Sequence, residues 1–255
     1  DKKGIPVIAP VATNDQLTAK REFANRVCFT DSFQGEVVAN YAKAQAYKTA
    51  VVVVDQSQVY SLGLAKAFEQ AFKKNGGEIV KTIKITSGDK DFKAVVSQIK
   101  ETNPDFMFLP LYHPEASMIA RQSKQLGLEK PMFSGDGVAN QTFIDLGGDA
   151  VNGYMFTDFF DYTNPPSQKS ADFVAYHEKE TGKAEMNSFT ALGADTYNIL
   201  IDAMNRCEDP TNSVCINEQI KKTTDFDGVS GKITINKEGN ATRSAVIKEV
   251  KDGKA

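Results

Sequence analysis

The residues of this chain whose types and spacing could do chemistry are two histidines, one glycine-flanked aspartate and a few hydroxyls. His177 falls in Phe173-Val174-Ala175-Tyr176-His177-Glu178, a helical stretch whose polar face would carry it, so a solvated surface position is its expected role. His113 follows the apolar run ending at Leu111, and the carboxyl end of a strand is where open α/β sheets place ligands. No Gly-x-Ser-x-Gly elbow, phosphate-binding loop or Cys/His metal spacing accompanies it. A general base with no visible nucleophile or acid partner is weak support for an enzyme. A pairing of His113 with Asp136 stands as the enzyme alternative.

The glycine-rich segment Ser134-Gly135-Asp136-Gly137-Val138-Ala139-Asn140 lies between a strand and a helix, as a dinucleotide fingerprint would. Asn140 occupies the place of the third glycine, so cofactor binding is not expected. What remains is a carboxylate at a strand-to-helix turn, which flanking glycines would leave open to a ligand; an ordinary turn aspartate is the plainer reading. Three other residues fall at comparable strand ends: Thr13 after the first strand, Tyr60 after Val51–Val54 and Tyr112 after Phe106–Leu109. Together they offer a hydroxyl, two amphipathic rings and an anion. An α-amino acid requires donors for its carboxylate, an anion for its ammonium and an apolar or aromatic wall.

The elements that must position these residues alternate along the chain. Strands are expected over 5–9, 26–29, 49–54, 78–85, 105–109, 131–133 and 151–157. Helices are expected near 14–15 and over 33–47, 62–74, 91–101, 114–126 and 141–146. The β-branched run Thr49–Val54 is that of a strand buried on both faces, which implies a parallel sheet covered by helices. Such βαβ units build an open, doubly wound sheet. After a loop over 158–169, helices are expected at 170–181, 190–206 and 216–222. Strands at 231–235 and 244–250 would then pair through a turn at Gly239-Asn240. The first βαβ unit, up to about residue 32, is too small to cover a sheet alone.

With 255 residues, 30 Lys and Arg against 33 Asp and Glu, and a net charge of −3, the chain presents no one-sign field for nucleic acid or an anionic membrane. No apolar run approaches the ~20 residues that span a bilayer. Asp1-Lys2-Lys3-Gly4 leads straight into a strand, so any targeting segment is expected to lie outside this chain. Of three cysteines, Cys28 in an apolar run reads as a buried thiol. Cys207 and Cys215 flank a polar loop short enough for a disulfide, two unrelated thiols being the alternative.

Several ordered blocks resemble the leucine/isoleucine/valine-binding protein family of ABC transporters, periplasmic binding proteins of type I fold. They are Ile8-Ala9-Pro10-Val11-Ala12-Thr13-Asn14 with Leu17-Thr18, Asp31-Ser32-Phe33-Gln34-Gly35, Tyr60-Ser61-Leu62-Gly63-Leu64-Ala65 and Gly88-Asp89-Lys90-Asp91-Phe92, then Tyr112-His113-Pro114-Glu115, Gly135–Asn140 and Ala191-Leu192-Gly193-Ala194-Asp195. The resemblance implies two doubly wound, Rossmann-like α/β lobes joined by a hinge, with the start of lobe one missing. Lobe one would hold 1–32 plus 160–238, and lobe two 33–156 plus 244–255.

It implies a periplasmic or lipid-anchored monomer that delivers a small amino acid to ABC permease subunits, with no cofactor and no catalysis; a sensor of the same fold is the alternative. In the interlobe cleft, Thr13 would bind the ligand carboxylate and the Val11 carbonyl its ammonium. Asp136 would pair with that ammonium, Tyr60 would reach the carboxylate and Tyr112 would line the wall. Asp136 replaces the Glu of branched-chain binders and Ala194 replaces a tyrosine, which leaves side-chain specificity open.

Overall fold

The computed structural model describes residues 2–255. They divide into two compact units: residues up to Thr30 with Phe159–Val246, and Asp31–Asp158 with Ile247–Ala255. The chain opens with β1 (Val7–Ala9) and β2 (Ala24–Arg26), a parallel pair with Val7 opposite Ala24. The helix expected near Asn14 is a single 3-10 turn, Asp15–Leu17, whose first free amide, Gln16 N, donates to the Asn14 side chain. It does not propagate, because Lys20 turns to φ 57° within a few residues.

From Asp31 the second unit follows: α1 (Asp31–Ala44), β3 (Thr49–Asp55), α2 (Val59–Lys74), β4 (Glu78–Ile85), α3 (Lys93–Thr102), β5 (Phe106–Phe108), α4 (His113–Gln125), β6 (Met132–Ser134), α5 (Gln141–Gly147) and β7 (Met155–Asp158). The remainder is α6 (Gln168–Thr181), α7 (Ser188–Asn205), α8 (Ser213–Ile220), β8 (Phe226–Gly228), β9 (Gly231–Ile235), β10 (Ala241–Thr242) and β11 (Val246–Glu249). Among the described residues no helix is long and apolar enough to cross a membrane.

The second unit is built on a six-stranded sheet ordered β11-β7-β6-β5-β3-β4, with β3 to β7 mutually parallel. Along β3, Val51 and Val53 enter one core with Ile99, Met107, Leu109 and Ile119. Ala50, Val52 and Val54 enter the other, with Leu64, Phe68, Phe72 and Phe108. Period-two alternation with both faces apolar produces the valine-rich run seen in the sequence.

One face depends on Gly35. A Cβ there would lie 2.6 Å from Phe68 N and 2.8 Å from the Ala67 carbonyl carbon, so α1 and α2 cross almost backbone to backbone. Gly35→Ala should therefore destabilise the protein by about 1–3 kcal/mol despite alanine's better helix propensity. An unchanged urea midpoint would mean that the helices separate without penalty.

The tail departs from the expected hairpin. Asn236 Oδ1 accepts from Glu238 N and Asn240 N, and this tight turn brings Ala241–Thr242, not residues 244–250, back onto β9 as its antiparallel partner. The later strand, β11, instead edges the six-stranded sheet beside β7. On the other side of β9 lies β8, which the sequence reading missed; Phe-Asp-Gly is too short to show a strand period.

Candidate functional site

Asp136 begins a 3-10 turn directly after β6, at the carboxyl edge of the parallel strands, and is 4% exposed. Gln34 of α1 holds it by a reciprocal pair: Gln34 Nε2 donates to Asp136 Oδ1 at 3.0 Å, and Asp136 N donates to Gln34 Oε1 at 2.8 Å. Tyr60, in the first turn of α2 and not in a loop before it, accepts from Gly137 N at 3.0 Å and turns its own hydroxyl to the Asp136 carboxylate.

The flanking glycines thus differ in purpose from the sequence expectation. A Cβ on Gly135 would lie 2.5–2.6 Å from Leu64, Gln34 and the Tyr60 hydroxyl, and one on Gly137 2.8 Å from the Leu111 carbonyl oxygen. They admit Tyr60 and Gln34 onto the turn; they do not leave the carboxylate bare.

Burial pushes the Asp136 carboxyl up to about 6; Gln34 and Tyr60 pull it down, and Asp158 pushes it further up. The Tyr60 hydroxyl is raised well above its ordinary value, first by burial and then by Asp136 and Asp31. Asp158, ending β7, pairs with Lys248 of β11 at 3.2 Å. Asp136 has no such partner: among the described residues no Lys, Arg or His lies within ion-pair distance of it. Tyr112, which caps α4, stacks on Tyr60 with ring centroids 4.9 Å apart and remains 42% exposed. One buried anion, held by neutral donors and walled by two rings, is therefore the chemistry at this edge.

His113 follows Tyr112 at the start of α4, and no hydrogen bond or ion pair joins it to Asp136. His177 lies half-buried on α6. Among the described residues no group of acidic, His or Cys side chains could hold a metal ion. A cavity of about 470 Å³, lined by Lys124, Lys130, Met132, Asp149 and Tyr154 among others, opens at the amino ends of β6 and β7, the edge opposite Asp136.

Val11 and Thr13 belong to the first unit; Thr13 is 3% exposed. Its loop is pinned by Arg26, a fully buried guanidinium that donates to the carbonyls of Ala12 at 2.8 Å and Asn14 at 2.9 Å, on either side of Thr13. The sequence reading missed this residue, although an arginine inside an apolar strand is the signal of a buried donor. The blocks around Asp195 and Glu115 likewise hold loops. Asp195 accepts from Val229 N, Ser230 N and Ser230 Oγ, and Glu115 from Gly88 N at 2.9 Å. Ala194 packs beside Phe160, Met186 and Val229. Cys207 and Cys215 are disulfide-bonded with Cα atoms 6.1 Å apart, and Cys28 is buried.

A family model described as periplasmic binding protein matches residues 1–255. Among curated relatives, a Leu/Ile/Val-binding protein of Rhizobium johnstonii is 30% identical over 244 residues, covering 94% of this chain and 65% of that protein. A Leu/Ile/Val/Thr-binding protein of Salmonella typhimurium is 30% identical over 243 residues, covering 94% and 64%. The chain thus spans just under two-thirds of the length of these relatives. A solved leucine-binding protein from Thermotoga maritima is 37% identical with a TM-score of 0.95, over 99% of this chain and 71% of that one. A branched-chain amino acid transporter substrate-binding protein from Streptococcus pneumoniae, in complex with isoleucine, is 30% identical with a TM-score of 0.90, over 99% and 71%.

Proposed function

The chain belongs to the periplasmic binding protein family, with the type I fold of its solved relatives, and from that premise we propose that it captures a small aliphatic or branched-chain amino acid for an ABC importer and performs no chemistry on it. The observation that carries this reading is Asp136: a buried carboxylate whose donors are all neutral and which, among the described residues, has no cation beside it. Such a group is stabilised by a cation brought from outside, and the α-ammonium of an amino acid supplies one. The stacked Tyr60–Tyr112 rings add a face that attracts the same charge.

In this proposal the Val11 carbonyl takes a further ammonium proton, and the Thr13 hydroxyl serves the ligand carboxylate. The Tyr60 hydroxyl is committed to the Asp136 turn, so Tyr60 contributes its ring more than its oxygen. Ile5, before β1, and Val7, its first residue, each leave 59% of their surface uncovered, an apolar edge that this proposal reads as the incomplete side of lobe one. The partners proposed are the amino acid and the permease subunits, with the protein a monomer outside the cytoplasmic membrane. Binding to isolated permease subunits separates import from sensing.

The direct test is calorimetry of the full-length protein with L-leucine and L-isoleucine between pH 5 and 8. The ammonium binds ionised Asp136, so affinity should fall as pH drops through about 6, by about tenfold between pH 7 and 5. Below pH 6, binding should release a proton. An affinity constant across that range would rule Asp136 out as the ammonium partner.

A further inference from the structure

Gln34 lies 102 residues from Asp136 in the chain, is fully buried on α1, and touches the aspartate twice. Its amide cannot be turned round. Oε1 accepts from two donors, Asp136 N at 2.8 Å and Thr157 Oγ1 at 2.5 Å. Reversing the amide would set its NH2 group against the Asp136 N–H and its oxygen against the carboxylate. The Nε2 hydrogens are therefore locked toward Asp136 Oδ1. Thr157 ends its role in β7 one residue before Asp158, so the lock is anchored on two elements of the same unit.

We propose that Gln34 is a positioning residue for the amino-acid site: it aims the Asp136 carboxylate and keeps it in the anionic form that receives the ligand ammonium. The inference rests on the function proposed above. The titratable and charged groups around Asp136 come from every neighbouring element. Asp31 begins α1, Tyr60 lies on α2, Tyr112 caps α4, Asp158 ends β7, and Lys248 of β11 pairs with Asp158. Within this set Gln34 and Tyr60 donate directly to the carboxylate, and both are neutral.

The test compares Gln34→Glu and Gln34→Leu with wild type in the full-length protein. Gln34→Leu removes the donor to Asp136 without adding a charge, so a change in Asp136 reports the loss of that bond; Gln34→Glu keeps the size of the side chain and an acceptor for Asp136 N and Thr157, but replaces the donor with a second carboxylate. Carbon-13 NMR of the Asp136 carboxyl, without ligand, should show a titration midpoint raised by about one pH unit in Gln34→Leu and more in Gln34→Glu. Calorimetry at pH 7 should show L-leucine or L-isoleucine bound at least about twofold more weakly by Gln34→Leu, the loss that a one-unit rise in the midpoint causes by itself, and about tenfold or more by Gln34→Glu. An unmoved midpoint in Gln34→Leu overturns the proposal, as does a moved midpoint with unchanged affinity. A moved midpoint in a protein whose wild type binds neither amino acid upholds the control of Asp136 by Gln34 and overturns the functional reading instead.

Discussion

Asp136→Asn should lose amino-acid binding and gain stability at once. Removing one partner of a buried, hydrogen-bonded charge pair typically costs 2–5 kcal/mol, roughly a 30-fold to several-thousand-fold loss of affinity. Without ligand the same carboxylate is a liability. Its carboxyl is raised from 3.8 to about 6 by burial, so between those values the native state holds more protons than the unfolded state. Stability then falls as pH rises from about 4 to about 6 and stays level above, leaving ionised Asp136 unfavourable at pH 7 by up to about 3 kcal/mol.

Asparagine removes that penalty at little geometric expense: Oδ1 still accepts from Gln34 Nε2, and Nδ2 can donate to the Tyr60 oxygen. Thermal unfolding of the ligand-free variant at pH 7 should rise by several degrees, at about 2–4 °C per kcal/mol. At pH 4, where wild-type Asp136 is already protonated, the gain should largely vanish. A variant that binds L-leucine or L-isoleucine as wild type does would end the ligand assignment, and one less stable at pH 7 would end the desolvation account.

Local signals made much of the second unit legible. The Thr49–Val54 run marks β3 because both faces of that strand are buried, and Asn75-Gly76-Gly77 marks the end of α2. Asp136 was visible as a carboxylate between glycines at a strand end. Its setting was not, because Gln34 reaches it from 102 residues away and a single glutamine in a helix carries no periodic signal. The glycines were seen, but what they make room for is a tyrosine ring from another helix, which spacing cannot supply. Strands of two or three residues, β8 and β10, exist only through their pairing with β9 and through side chains that hold their turns. Asp195 entered as one letter of a family block and proves to be one of those side chains.

The same substitution at Asp195 should have the opposite sign. Asp195 is fully buried on α7, and its two oxygens accept from Val229 N at 2.6 Å, Ser230 N at 2.9 Å and Ser230 Oγ at 2.5 Å. The turn between β8 and β9 sits so close that a Cβ on Gly228 would lie 2.7 Å from Asp195 Oδ1. Burial raises the Asp195 carboxyl, while those donors and the charge of Arg243 lower it. Arg243 in turn donates to the carbonyls of Ser230, Val27 and Phe159.

Asp136 differs because its two main donors sit on side chains, the Gln34 amide and a hydroxyl that can rotate. Asp195 instead serves two backbone amides in a rigid turn, and neither can become an acceptor. Asp195→Asn must point Nδ2 at one of them, so it keeps one amide bond and opposes the other. Asp195→Ala leaves both amides buried without acceptors, and each costs about 1–3 kcal/mol. Loss of the charge opposite Arg243 brings the total for alanine to about 3–5 kcal/mol. In urea unfolding the order expected is wild type, then Asp195→Asn, then Asp195→Ala. An Asp195→Asn variant as stable as wild type would show that the backbone amides of the turn find acceptors elsewhere, and that the carboxylate does not hold β8 against β9.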